Sequence, residues 1–436
     1  MQPEVIYVPG KGWHYWNEDR WSPDETGVLT RLFIQAIRSI PDDDTKETTR
    51  HKKQSESLRS ITAGLRIAQD LPGITVPGTL LDSNPYLLNT PTGYVDLRTS
   101  TFHHPSANLL LTQSTTTKYD PTAQAPLFSR FLQEVLPDPE IRAFLQRALG
   151  YTLTGLVKEE VIFLLVGKGA NGKTTLTSLI RRIRGTYASP IATSLLTARH
   201  TGNHETEKLA LQGTRFAIAN ETDFGQQVAE AKIKALVSTD AITARGAYER
   251  TPVTFQPTHK LWLSTNYLPN IDGSDDGLAR RLIVIPFEQV FNAEDRDTNL
   301  HEHLQTESAG ILNWLIEGAA LYLQNGLNPP ARIQEEVADY QTSMDTFARF
   351  IEEYIIPDPN YSATNPELWE VFSRWQSSEP HNLRLGRRSF GQAMKRRYKQ
   401  SNQNGVRQWP GLRVRTPGQP ADNETAEQAA QRAAGV

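Results

Sequence analysis

Six apolar residues in succession, Val161 to Val166, read as a strand covered on both faces. Similar runs occur at Thr214 to Asn220 and Lys260 to Asn266, each closing on polar or charged residues, and at Leu282 to Pro286. Between the first two, Leu176, Leu179, Ile180 and Ile183 recur at helical spacing. Strand runs interleaved with such a helix predict an α/β core over 160–290. Ile242 to Phe255 reads as a strand, a turn and a second strand.

Upstream the period is helical. Leu29, Leu32, Phe33, Ala36, Ile37 and Ile40 predict one helix and Glu56 to Gln69 a second, with a polar loop over Asp42 to Ser55 and a loop-rich stretch from Pro72 to Pro91. A turn into a short strand follows at Thr92 to Leu97. Phe128, Phe131, Leu132 and Val135 share a helix face, and Asp138-Pro139 supplies the cap and first-turn proline of a helix through Ile141, Phe144, Leu145 and Leu149. Residues 1–90 therefore form an accessory region and 91–159 a helical lead-in.

Downstream, Leu300 to Leu323 is helical, and Asn328-Pro329-Pro330 ends it and begins a linker, closing a 291–342 extension. From 343 to 415 the pattern gives helices at Thr346 to Ile355, Pro366 to Trp375 and Ser389 to Lys399, then two short strands. Arg384, Arg387, Arg388, Lys395, Arg396, Arg397 and Lys399 stud the third helix region without an acid. That order fits a winged helix whose third helix enters a DNA groove. The tail, 416–436, is polar and is expected to be disordered.

The first strand run leads into Gly167-Lys168-Gly169-Ala170-Asn171-Gly172-Lys173-Thr174, with Thr175 next, which fits G-x-x-x-x-G-K-[ST]. Glycines let the backbone curl so that its amides face phosphate, Lys173 brings a charge and Thr174 a hydroxyl for magnesium. The following helix adds its positive end. Glu221 and Asp223 at a strand end suit metal binding and water activation, and Asn266 at another strand tip suits contact with a γ-phosphate or its attacking water. Arg280 and Arg281 fit either a structural role or a phosphate-sensing finger. Lys234 precedes the strand-turn-strand, where Arg245, Tyr248 and Arg250 suit either a surface hairpin or one that grips a nucleic-acid backbone.

Composition narrows the picture. The 436 residues are 38% hydrophobic and 22% charged, enough for several domains, and no apolar run reaches a membrane span. The N-terminus shows no export signal, so a cytoplasmic protein with no membrane partner is expected. Absence of cysteine excludes disulfides, thiolate zinc sites and cysteine nucleophiles. The pairs His103/His104 and His301/His303 read as surface residues rather than metal ligands, and Trp13, Trp16 and Trp21 as packing rather than base-stacking groups. A net charge of -3 confines any DNA contact to local patches.

The succession of phosphate loop, Glu221-Thr222-Asp223, Lys234 to Arg245, Asn266 and Arg280-Arg281 resembles the superfamily 3 helicases of the AAA+ class. The text TPTGYVDLRTS, FLQRALGYTLTG, IANETD, KLWLSTNYLP, ARRLIVIPF and ESAGILNWLIEGAALY is similar to the helicase half of phage and plasmid primase-helicases, relatives of the poxvirus helicase-primase. The resemblance implies an AAA+ phosphate-loop NTPase core with a parallel sheet, preceded by a mainly helical region and followed by a winged-helix-like domain. It implies an ATP- and Mg2+-dependent homo-hexamer translocating on single-stranded DNA and working on fork DNA. Lys173 and Thr174 would hold phosphate and metal, and Glu221 with Asp223 metal and water, their division of labour left open. Asn266 would be the sensor, Arg280 or Arg281 the finger reaching a neighbour's ATP, and Lys234, Arg245 and the Tyr248 to Arg250 turn would face DNA.

A phage or mobile-element origin implies a bacterial host cytoplasm and a separately encoded primase and polymerase. With no cysteine and only residues 1–90 before the lead-in, no primer synthesis is expected of this chain; template-directed primers from the purified protein would contradict that. Two other readings use the same loop: a DNA-bound ATPase switch, such as an origin binder or helicase loader, and a small-molecule kinase.

Overall fold

The computed structural model describes residues 5–41, 45–196, 204–220, 229–246, 252–266, 280–292, 294, 297, 299–344, 346–378, 386–387, 390–391, 394, 398, 400–403 and 406–415. They fall into two compact units, one holding the described residues up to 334 and the other those from 335 onward.

The first unit opens on an antiparallel sheet of β1 (Val5–Val8), β2 (Gly12–Trp16) and β3 (Trp21–Pro23). Ile6, Val8 and His14 are buried, whereas Tyr7 and Trp13 meet edge to face on the half-covered side. Trp21 is buried, donates to the Ala107 carbonyl at 2.8 Å and carries Trp16 against it, so these aromatics pack a small core.

Three helices follow, α1 (Val28–Arg38), α2 (Lys46–Ser55) and α3 (Leu58–Ala68). The loop expected over 42–55 is corrected by α2. KETTRHKKQS has no apolar face to reveal a period, yet its ends suit a helix. Thr45 accepts from the Thr48 amide, Glu47 lies in the first turn, and Lys52 and Lys53 lie in the last.

A second antiparallel sheet joins β4 (Leu87–Thr90), β5 (Gly93–Asp96) and β6 (Thr101–His103). Its first hairpin turns at residues 91 and 92. Next come α4 (Pro126–Val135), burying the four residues expected, and α5 (Pro139–Tyr151), where the Asp138 carboxylate accepts from the amides of Glu140 and Ile141.

The central layer is built from β7 (Ile162–Val166), α6 (Lys173–Arg184), β8 (Ala188–Pro190), α7 (His204–Leu209), β9 (Phe216–Asn220) and α8 (Glu230–Val237). The hairpin β10 (Ile242–Ala244) and β11 (Val253–Phe255) precedes β12 (Lys260–Thr265) and β13 (Leu282–Pro286). Five strands form one parallel sheet in the order β13-β7-β12-β9-β8. Because β7 and β12 are neighbours although distant in the chain, the loops after both strands meet at one edge, where α/β sheets bind ligands. The unit closes with α9 (Leu300–Thr306) and α10 (Ser308–Asn325), the latter lying on α5. Where a linker was expected, α11 (Ala331–Met344) runs as helix from Pro330, a residue suited to a helix start.

Three cations lie buried at the opposite edge of this sheet. Arg184 donates to Leu149 O, Arg215 to Leu153 O and Leu87 O, and Lys260 to the carbonyls of Thr154, Leu156 and Thr258. They bind the carbonyl-rich segment that ends α5, each also lying over an aromatic ring. Burial, then repulsion from Arg215, lowers Arg184 to about 9. Beside Lys260, His259 is fully buried, its Nε2 2.9 Å from Leu236 O. Burial lowers its pKa from 6.5 to about 4.

A base whose folded-state pKa is depressed takes up its proton more readily in the unfolded chain. Its contribution is thus complete above pH 6.5 and is lost as pH falls toward 4, about 3 kcal/mol in all. Urea unfolding at pH 7 and pH 4.5 should show this loss in the wild type and a shallower one in His259→Gln; equal losses would contradict the assignment.

The second unit contains α12 (Thr346–Tyr354), β14 (Ile355–Thr364), α13 (Asn365–Ser378), β15 (Ser401–Gln403) and β16 (Val406–Val414). Phe390 N–H donates to Gly386 O and Tyr398 N–H to Met394 O with helical spacing, and most of the third helix expected at Ser389 to Lys399 lies outside the described residues. Phe350, Phe372, Phe390, Met394 and Trp409 fill its core. The fold is winged-helix-like, with one correction. A strand, β14, separates the first two helices and makes the sheet three-stranded, β14-β16-β15. Pro357 and Pro359 disguise it in the sequence, and the edge position is where a strand tolerates them. The tail, 416–436, lies outside the described residues.

Candidate functional site

The phosphate-loop motif closes the C-terminal end of β7. The Gly167 N–H donates to Thr265 O on β12 at 3.3 Å, and the Phe287 N–H after β13 donates to Val166 O at 2.7 Å, so both neighbouring strands clamp the base of the loop. A Cβ at Gly167 would lie 2.2 Å from both Asn171 Nδ2 and Phe287 O. Gly172 adopts φ +85°, and a Cβ there would fall 2.6 Å from Val135 Cγ1. Ala170, at φ 50°, holds a left-handed conformation without that freedom, a local strain of the sort that functional loops retain.

Lys173 is the first residue of α6 and is buried. Its Nζ donates to Gly167 O at 2.6 Å, Asn171 Oδ1 at 3.0 Å and Asn266 Oδ1 at 3.3 Å. Asn171 is buried as well, its Nδ2 donating to Phe287 O at 3.2 Å, so the amide holds both the loop and the ammonium. The N-cap of α6 is Gly172, which offers no side-chain acceptor, leaving the first amides of the helix directed at the loop's concavity. Lys168 and Thr174 are exposed and Thr175 is half-buried.

These features fit a polyphosphate. An ammonium fixed by uncharged oxygens, an uncapped helix start and an exposed hydroxyl are the donors that phosphate oxygens and a phosphate-bound metal require. Among the described residues no cluster of three His, Asp or Glu side chains could hold a metal. The carboxylates proposed for that task, Glu221 and Asp223, lie outside the described residues.

The structure thus brings Gly167 to Thr175 together with Asn266. Arg280 and Arg281 lie elsewhere. Arg281 precedes β13, and its Nη2 pairs with Glu160 Oε2 at 2.9 Å beside the start of β7. Five strand residues separate that edge from the phosphate loop, about 16 Å. Neither arginine therefore faces its own loop, and Arg280 is the more exposed.

Lys234 on α8 pairs with Glu230 at 2.5 Å, and Arg245 is exposed just after β10. Tyr248, Arg250, Arg388, Lys395, Arg396 and Arg397 lie outside the described residues, and Arg387 is exposed. His103 and His104 are exposed, the former stacked on Tyr94, and His303 lies 3.3 Å from Asp297. Sequence reasoning missed Val135, Thr265 and Phe287, which shape the loop from three other elements. Their only signal is position at strand and helix ends.

Comparison with known proteins agrees with this architecture. Residues 1–137 match the family described as D5 N terminal like. A protein named "Putative helicase" from Acanthamoeba polyphaga mimivirus is 29% identical over 325 residues, 68% of this chain and 34% of its own length. One of the same name from Frog virus 3 is 28% identical over 305 residues, 65% of this chain and 31% of its own. A "Putative primase" of African swine fever virus is 26% identical over 335 residues, covering 68% and 34%. The chain spans about a third of the length of these curated relatives.

Among solved structures, the apo C-terminal region of NrS-1 shares the fold, with a TM-score of 0.56 and 11% identity over 93% of this chain and 95% of that one. Over about two thirds of its length the chain is thus similar to proteins of large DNA viruses named as helicases and primases, and its first 137 residues match the D5 N terminal like family.

Proposed function

We propose that the chain is an ATP-dependent DNA helicase of the superfamily 3 type, translocating on single-stranded DNA during phage or mobile-element replication. The observation that carries this reading is the meeting of Lys173 Nζ with Asn266 Oδ1, from loops after two adjacent parallel strands. Lys173 holds the β- and γ-phosphates, the amides opening α6 receive the same oxygens, and Asn266 orients the attacking water. Magnesium, bound with Thr174 and the Glu221/Asp223 pair, supplies charge neutralisation when present. Arg280 or Arg281, remote from the loop of its own subunit, serves the nucleotide of a neighbour in a homo-hexameric ring, and its exposure favours Arg280.

Single-stranded and fork DNA are the proposed partners, beside a separately encoded primase and polymerase in a host cytoplasm. Among the described residues no helix is long and apolar enough to cross a membrane. Lys234, Arg245, Tyr248 and Arg250 grip the strand around the β10–β11 hairpin, and Arg387, Arg388, Lys395, Arg396 and Arg397 bind backbone phosphates from the second unit. Replacing Arg396 and Arg397 with alanine should flatten the slope of log affinity against log salt by about 0.9 per lost duplex contact; an unchanged slope would remove these residues from the interface.

Strand displacement from a tailed duplex tests the reading as a whole. Displacement that requires ATP and disappears in Lys173→Ala is expected. Hydrolysis without release of a strand would instead identify a DNA-bound switch or loader.

A further inference from the structure

Arg184, Arg215 and Lys260 are buried around one point of the parallel sheet. Lys260 opens β12 in register with Phe216, the first residue of β9, and its N–H donates to Arg215 O at 2.9 Å. The Arg184 guanidinium lies over the Phe216 ring, 5.1 Å from its centroid. The place is remote from the nucleotide site, since Arg184 ends α6, about 17 Å along the helix from Lys173.

These three charges have little to oppose them. Burial dominates the surroundings of each, followed at Arg184 and Lys260 by repulsion from the other cations, and at Arg215 by Tyr187 and then Asp82. Asp82 is thus the one carboxylate among the described residues that acts on the cluster. Its oxygens already accept from the Thr112 and Gln113 amides and the Thr112 hydroxyl.

We propose that a small monovalent anion, chloride in ordinary solution, binds the Arg184 guanidinium and supplies the counter-charge of this cluster. Unused donors place it there. Lys260 directs its ammonium at three carbonyls, those of Thr154, Leu156 and Thr258, and Arg215 uses Nη1 and Nη2 on Leu153 O and Leu87 O. Arg184 donates to Leu149 O through Nη2, whereas its Nε and Nη1, equally buried, meet no acceptor among the described residues. A buried donor without an acceptor is costly, and a buried charge without a counter-charge more so.

The chemistry of the cluster selects the ligand. Ammonium and guanidinium groups only donate, so the guest must accept without donating in return. A halide does this, and it carries the charge that the carbonyl dipoles lack. Water would bring two hydrogens of its own into a group of donors. Burial favours an ion that sheds its hydration readily, so chloride and bromide fit better than fluoride or a phosphate dianion.

Urea unfolding of the intact chain, with chloride exchanged stepwise for gluconate at constant ionic strength, tests this. Gluconate is too large to enter. The unfolding constant should fall about tenfold for each tenfold rise in chloride beyond half-saturation, and bromide should act as chloride does. In Arg184→Leu, which lacks the unpartnered donors, the constant should be the same in both anions. Crystals of the wild type grown in bromide give a readout that does not require the variant to fold: an anomalous peak should stand at hydrogen-bonding distance from Arg184 Nε or Nη1. Wild-type stability equal in chloride and gluconate, or a chloride dependence that survives in Arg184→Leu, would overturn the proposal. So would bromide sites found only away from Arg184, which would mark adventitious ions.

Discussion

Lys173→Ala is expected to lower ATP turnover by at least about a hundredfold, the loss typical when one preorganised donor to developing charge is removed. The ammonium sits where β7 gives way to α6, held by Gly167 O, Asn171 Oδ1 and Asn266 Oδ1. Those oxygens fix its position before any phosphate arrives, so little reorganisation is left for the reaction itself. Arginine is no substitute, because a planar fork cannot occupy a site shaped for a compact point charge. Stability should change far less than activity. Removing a buried cation relieves its desolvation, which offsets the acceptors left behind, and Asn266 is only half-buried, so water can reach it. Steady-state hydrolysis alongside a thermal melt separates the two effects. Turnover within about tenfold of wild type would show that Lys173 does not contact the reacting phosphates.

Gly150→Ala should be among the most destabilising single changes in the first unit. The helices α5 and α10 touch backbone to backbone at this point. A Cβ on Gly150 would lie 2.0 Å from the carbonyl carbon of Gly318 and 2.1 Å from the amide nitrogen of Ala319. The contact is reciprocal, since a Cβ on Gly318 would lie 2.2 Å from Gln146 O. No rotamer relieves a clash with main chain, so the helices must separate. Separation disturbs the Tyr151–Tyr322 ring contact, the Tyr322 hydroxyl bond to Glu159 and the Gln146 bond to Trp314 O. Overpacking of this kind costs about 3 kcal/mol, well above the roughly 1 kcal/mol that alanine gains over glycine in a helix. Urea unfolding measures the difference; a variant as stable as wild type would mean that the two helices do not meet there.

Much of the core was legible because parallel strands covered on both faces read as continuous apolar runs. Val161 to Val166, Lys260 to Asn266 and Leu282 to Pro286 each became a strand within a residue or two of the expected limits. Asp138-Pro139 announced α5 through cap chemistry alone. The misses share a cause as well. Helix α2 has no apolar face and α11 starts behind a pair of prolines, so local pattern pointed to loop and linker, while the two prolines of β14 left it without a strand signal. Arg184, Arg215 and Lys260 carry charges that hydrophobic pattern alone does not bury, yet they are buried because nearby carbonyls and aromatic rings receive them. For the site, the motif located the loop and the strand tip located Asn266. Which edge of the sheet Arg281 occupies was invisible, because spacing along a chain does not say which end of a strand a residue lies on.

The central claim, a motor driven by ATP and acting on DNA, is tested most directly by ATP hydrolysis of the intact chain with and without single-stranded DNA. Strong stimulation by DNA, absent in Lys173→Ala, is the expected result. Hydrolysis that depends on Lys173 but is indifferent to DNA would contradict the claim and point to a phosphate-transferring enzyme with a small-molecule acceptor.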